Sequence, residues 1–471
     1  MNKPFVFLFF LTLLIGVSSC EEKVKKYDIT DFGAKGDYKT LNTKAMQSAI
    51  DACYENGGGI VNVPFGGFIT GTLILKDRVV LNLENGGEII GSKRLLDYVN
   101  IDPFTDAVGQ KRGNCLIGAV DASDIGITGS GKIIGRGEYF RVDSLKKAAE
   151  IRNLPYDYKA FNERPFLLRF VRSNDIVLKG VNLSRPAAWT VHFFQCKGVD
   201  IEKISIKSHS NKNNDGIDVD SSSDFFIRDC DIDSSDDALC FKTTSPVATS
   251  NIRVSRCRLS SEWGAIKFGT ESMGDFTNIR IDSCFIKNTR GGGIKMLSVD
   301  GANISNIKIN QIVMEEVDMP IFMRLGERLR TYRDAEQQKV GSIDNISISN
   351  IRATCRKQEE SRVSPPSGIF ITGTPNHKIG SIHLQNIFIQ LPGGGTAEQA
   401  EFVPEEQETK YPEFSFFGVL PAFGMYARHV ENIAINDFKV QLRNSDLREN
   451  ILMKDVDNKT ILNTTVINSK K

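Results

Sequence analysis

Two short runs of this chain bring carboxyl groups together in a way that could do chemistry. Asn213-Asn214-Asp215-Gly216-Ile217-Asp218 sets an acid after a polar pair, and Ser235-Asp236-Asp237-Ala238 places two adjacent acids 21 residues after Asp215. Adjacent aspartates repel, which pushes one toward its protonated form while a neighbour stays ionised. Hydrolysis of a glycosidic bond uses that division: one carboxylic acid protonates the leaving oxygen and a carboxylate activates water. A lone Asp-Asp pair is more commonly a solvated turn. The periodic setting of these runs argues for more.

From Ile125 onward the chain repeats a short unit: apolar, variable, apolar, two polar positions, then a small or apolar residue. Copies start at Ile176, Val199, Phe225, Ile252, Ile279 and Ile307, at steps of 23, 26, 27, 27 and 28 residues. Later copies start at Ile346, Ile382, Ile433 and Ile461. Such self-similarity marks a solenoid, whose units bury their apolar faces only by stacking. The units are short, alternating and β-branched, so the solenoid is all-β. Cys230, Cys257 and Cys284 recur at 27-residue steps as a column of small buried thiols. Asn42 to Asn56 reads as an amphipathic helix on Ala45, Met46, Ala49, Ile50 and Cys53, stopped by Gly57-Gly58-Gly59. Its place before the β region makes it a cap on an open sheet end. The wide late gaps require inserted loops, Arg324 to Lys339 and Gly393 to Gly424.

Residues at one offset from each unit's start should align along the solenoid axis, with rungs about 4.8 Å apart. Asp236, Trp263 and Arg290 share one offset. Asp215, Lys242, Lys267 and Lys295 nearly share another. Acids, an aromatic and bases then converge on one face. That set suits an anionic sugar: bases hold a carboxylate, the ring stacks, and acids hydrolyse.

The chain has 471 residues with 59 basic and 58 acidic side chains, so neither a nucleic-acid surface nor an acidic tail is indicated. Lys3, the apolar run Phe5 to Val17 and Ser18-Ser19-Cys20 have the layout of a lipoprotein-type signal over 1–19, with lipid expected on Cys20. A short tether over 20–26 and one catalytic domain over 27–471 follow. The expected setting is an exported bacterial lipoprotein at the outer membrane, periplasmic or surface-facing, and monomeric. The other eight cysteines form no Cys-x-x-Cys pair and the five histidines show no metal spacing.

These residues together resemble the polygalacturonase family of glycoside hydrolases, family 28. Asn213-Asn214-Asp215 is similar to its Asn-Thr-Asp motif, Asp236-Asp237 to its Asp-Asp motif, and Lys242 to the lysine that follows. The likeness extends to Asp31-Phe32-Gly33-Ala34-Lys35-Gly36-Asp37, the segment Ile127-Thr128-Gly129-Ser130-Gly131 to Gly137, Arg164-Pro165 and Trp189. The resemblance implies a right-handed parallel β-helix, a pectic substrate, inverting hydrolysis, and no cofactor or metal. It implies Asp236 as general acid, with Asp215 and Asp237 holding the attacking water. Two motifs depart: Glu262-Trp263-Gly264 stands for Gly-His-Gly, and Gly293-Ile294-Lys295 for Arg-Ile-Lys. Trp263, Lys267 and Arg290 are the candidates to take over substrate contacts, beside Lys242 and Lys295. Trp263 and the long loops point to end-directed attack on short, branched or rhamnogalacturonan-derived fragments. Two other classes fit such a scaffold: a polysaccharide lyase and a non-catalytic glycan-binding β-helix.

Overall fold

Each repeat folds into three short strands separated by tight corners, and the corners explain the period. The residue before the last position of each unit lies in the left-handed region: Lys203, Asp229, Arg256, Ser283, Gln311, Asn350, Asn386 and Asp437. One such residue turns the chain sharply between two strands, and Asn and Asp tolerate that conformation best among residues with side chains. The next coil then lands on the one before. The ladder continues in parallel through Ile125, Ile176, Val199, Phe225, Ile252, Ile279, Ile307, Ile346, Ile382 and Ile433. These are the expected unit starts, in the expected register.

The computed structural model describes residues 24–151, 153 and 163–468. The expected signal over 1–19, Cys20 and most of the tether lie outside them. The architecture is a right-handed parallel β-helix, the hand that parallel crossovers take. Its ladder runs from Lys26–Asp28 to Glu449–Asn468. The interior is a stack of fully buried aliphatic and aromatic residues such as Ile252, Ile279, Ile307 and Phe225. Burying each such side chain stabilises by roughly 1.5–3 kcal/mol.

The capping helix spans Thr43–Glu55 and buries Met46, Ala49, Ile50 and Cys53 against the first coils. Cys230, Cys257 and Cys284 are buried and unpaired in one column beside Ile204 and Ile312. The last expected copy is corrected by two residues. Ile433 pairs with Lys459, and Ile461 pairs with Ile435. The left-handed corner at Asn463 fixes this register, because it aligns with the corner at Asp437.

One element breaks the parallel pattern. Val99–Thr105 pairs antiparallel as a hairpin with the start of Lys111–Val120, whose later residues rejoin the parallel ladder beside Phe166–Val171. A third insertion, 356–368, follows Cys355 and was not anticipated from the repeat spacing.

Candidate active site

The acid runs lie at the mouth of one of the three sheets, on the outer face of Ile217–Asp220, Leu239–Thr243, Gly264–Ser272 and Gly292–Ser298. Just before those strands, a column of serines pins the loops. Ser208, Ser234 and Ser261 stack in register on consecutive rungs. Ser208 Oγ donates to Asn214 O at 2.9 Å. Ser234 and Ser261 both donate to Asp236 O at 2.6 Å. The serines recur at nearly the repeat period, so the sequence held this signal.

Asn214 is fully buried and acts as a bracket. Its Nδ2 donates to Ala188 O at 2.8 Å, and its Oδ1 accepts from Asn211 N at 2.7 Å. Asp215 O accepts from Thr190 N at 2.9 Å and from Thr190 Oγ1 at 2.7 Å. These two bonds tie the backbone of Asp215 to the coil before it. Gly264 is needed for space: a Cβ there would lie 2.8 Å from Asp237 Oδ1, which instead accepts Gly264 N at 3.1 Å.

Oxygens of Asp215, Asp236 and Asp237 all lie within 4.8 Å of one another. Asp215 and Asp237 are buried, and Asp236 is partly open to solvent. Two oxygens at that separation can both bond one water, since each bond spans about 2.8 Å. Asp215 Oδ1 is buried with no hydrogen-bond partner among the described residues, which leaves it free for such a water. Burial, reinforced by the other two carboxylates, holds Asp236 well above the ordinary carboxyl range. Burial and then Asp218 do the same for Asp215, while Lys242 opposes it. Asp215 and Asp236 titrate as an interacting set.

The lysines lie beneath this layer. Lys267 Nζ donates to Asp237 Oδ2 at 2.6 Å. Lys295 Nζ donates to Glu413 Oε1 at 2.5 Å. Lys242 sits 3.5 Å from Asp215, Asp218 and Glu271, with its ammonium 4.3 Å from the Trp189 ring centre. All three are buried and ion-paired. Each therefore balances acid charge in the layer beneath the carboxyl trio.

The expected columns hold in part. Asp236 aligns with Trp263, but Arg290 aligns with Glu262, because the corner before Gly292 carries one extra residue. Lys267 and Lys295 share a register with Asp218 and Cys240, whereas Lys242 is opposite Asp220. Arg290 is exposed. Trp263 is half-buried, and the Arg362 guanidinium lies 3.7 Å from its ring centre, so that contact competes with a sugar for the stacking face.

Residues without a periodic frame were missed. Glu413, from the Gly393 to Gly424 loop, also accepts Trp263 Nε1 at 3.2 Å. Tyr411, from the same loop, accepts Thr270 Oγ1 at 2.9 Å. Arg362 comes from the unanticipated third insertion and feels the charges of Glu413, Arg290 and Asp236. The hairpin tip contributes Ala107 N, which donates to Glu271 Oε1 at 3.0 Å. The arginines of the Arg324 to Lys339 loop pin walls: Arg328 to Asp300 at 2.8 Å, Arg330 to Ala107 O at 2.5 Å, Arg333 to Asp102 at 2.6 Å.

Asp218 was readable from strand alternation, since it points outward as Asp215 approaches the mouth. Among the described residues neither of its oxygens has a hydrogen bond, and burial raises it to about 7, with Lys242 opposing and Asp237, Glu271 and Asp236 adding. A raised carboxyl keeps its proton in the native state while the unfolded chain releases it near the ordinary value of 3.8. Its contribution therefore makes stability fall as pH rises from about 4 to about 7 and then level. Asp218→Asn is expected to flatten part of that fall and to be the more stable form at pH 8, read by urea unfolding at several pH values. A variant less stable than wild type at pH 8 would contradict the raised ionisation.

Fold and site define a class: a parallel β-helix with a carboxylate-centred cleft on the outer face of one sheet, walled by long loops. Residues 100–407 match the model of glycosyl hydrolases family 28, and the chain belongs to that family. It is 28% identical over 253 residues to an exo-poly-alpha-D-galacturonosidase of Dickeya chrysanthemi, covering 46% of this chain and 42% of that protein's length. Among solved structures it is similar to a hyperthermoactive exopolygalacturonase from Thermotoga maritima, with TM-score 0.65 and 22% identity over 78% of this chain and 87% of that one. It is also similar to a Yersinia enterocolitica family 28 exopolygalacturonase, with TM-score 0.68 and 18% identity over 93% of this chain and 78% of that one.

Proposed function

We propose that this chain hydrolyses galacturonide-type linkages in pectic polysaccharides or oligosaccharides. The observation that carries the reading is the trio of acids, with oxygens inside 4.8 Å, of which Asp236 alone is partly open to solvent. Asp236 donates its proton to the glycosidic oxygen. A water between Asp215 and Asp237 attacks the anomeric carbon from the opposite face and passes its proton to the carboxylate pair.

Attack is end-directed on short or branched fragments. Support comes from the three insertions that close over the cleft on its C-terminal side and from the exo-acting name of the Dickeya relative. Time-resolved product sizing should show single sugars released from oligomers, with little early loss of viscosity on homogalacturonan. Proton NMR at early times should show the anomer inverted. The acids are closer than the roughly 6.5–9.5 Å usual for an inverting pair, so retention through a carboxylate nucleophile is the outcome that would overturn this mechanism.

A lyase reading needs an unprotonated base beside the substrate. Burial opposes the charge of the site lysines, yet Cys240 and then Glu271, Asp218 and Asp215 hold Lys242, and Asp237 holds Lys267, well above the ordinary range. Absence of the absorbance of a new double bond in the products separates the two. A non-catalytic binder would retain pectic affinity and turn over no oligomer. Lipid attachment at Cys20 and placement at the outer membrane belong to the same proposal, and Cys20→Ala should release the protein from membranes.

A further inference from the structure

A second groove runs along a different sheet from the acid cleft. It follows the outward column Phe226, Arg253, Arg280, Lys308, Ser347, His383, Ala434 and Thr460, one residue per rung. Two cavities of 640 and 450 Å³ line it and share Lys308 and Asn345, so they form one trough. At about 4.8 Å per rung its floor is roughly 34 Å long. Arg253, Arg280 and Lys308 are exposed on three consecutive rungs, and among the described residues none of them is in an ion pair. The Arg253 guanidinium lies 5.7 Å from the ring centre of Phe226, which is 48% exposed at one end of the trough. The acid lining that end, Asp224, already accepts Asn251 Nδ2 at 3.0 Å and faces Lys197 at 3.9 Å. Among the described residues, no acid is therefore ion-paired with the three cations of the column.

We propose that this trough is a binding site for a linear polyuronate chain, separate from the catalytic cleft. A polymer with one carboxylate per ring offers repeated anions along a line, matching cations set one per rung, and the exposed Phe226 ring gives its end a stacking surface. This rests on the proposed substrate class. The site would hold the polymer while chain ends are processed elsewhere on the molecule.

The test compares wild type with Arg253→Ala/Arg280→Ala/Lys308→Ala in the full-length protein. Binding to polygalacturonate is measured in an Asp236→Asn background, which prevents consumption, and turnover is measured on a short galacturonide oligomer with Asp236 intact. Expected is about tenfold weaker polymer binding, the combined effect of three exposed ion pairs, with unchanged melting temperature and unchanged oligomer turnover. Binding should weaken with salt and be absent for a neutral glucan. Unchanged polymer affinity in the triple variant overturns the proposal. Equal capture of duplex DNA through the same residues also overturns it, by making the stripe a general polyanion surface. If no oligomer is turned over by wild type, the proposed hydrolysis fails while the binding arm still decides the trough. Arg280→Ala alone, changing the same arm in the same direction, serves if the triple variant misfolds.

Discussion

Asp236→Asn is expected to lower turnover by at least roughly a hundredfold, the usual effect of removing a general acid, with the native fold intact. The amide keeps the acceptor for Asp237 N, now 3.0 Å from Asp236 Oδ1, but has no proton to give the leaving oxygen. The loop stays in place because Ser234 and Ser261 hold the backbone oxygen of residue 236, not its side chain. Asp215→Asn should cause a loss of similar size, since it changes the buried, unpartnered carboxyl that can bond the attacking water. Initial rates on galacturonide oligomers, with circular dichroism to verify folding, give the measurement. Near-normal rates in both variants would remove the trio from the mechanism.

Lys267→Met should be the most damaging change beneath the cleft. The 2.6 Å pair with Asp237 is buried on both sides. Replacing the cation leaves Asp237 as an uncompensated buried charge beside two further carboxyls. Breaking a buried pair in this one-sided way costs about 3–5 kcal/mol. Methionine fills similar space, so lost packing contributes little. Urea unfolding near pH 7 measures the loss. Turnover should fall as well, because without Lys267 the carboxyl set binds its protons more tightly and Asp237 is less able to orient water. A variant as stable as wild type would show that the pair is not buried as described.

The departures at the two altered motifs make sense only with the loops in place. By sequence Trp263 offers an aromatic face for a sugar ring. In the fold its indole N–H is bonded to Glu413 and its ring meets Arg362, both supplied from insertions. The cations that face open solvent near the acids are Arg290 and Arg362, not the three lysines. The lysine positions are periodic and hence visible. Their partner Glu413 sits in a stretch with no period to fix it.

The sequence by itself determined the parallel solenoid, the unit starts through Ile433, the capping helix, the thiol column and the placing of Asp215, Asp236 and Asp237 on one face. These follow from local rules: strand alternation, one left-handed residue per corner, and a repeat that places equal offsets on adjacent rungs. Where a corner gains a residue, as before Gly292, the offset rule slips by one and Arg290 moves away from Trp263. Tertiary structure alone decided which charges face the cleft and which lie beneath it. A strand offset gives direction but not depth, and depth here is set by insertions and a hairpin that fold back over the coils. Glu413, Tyr411, Arg362 and Ala107 reach the site through contacts between residues far apart in the chain, and no periodicity in the sequence encodes such contacts.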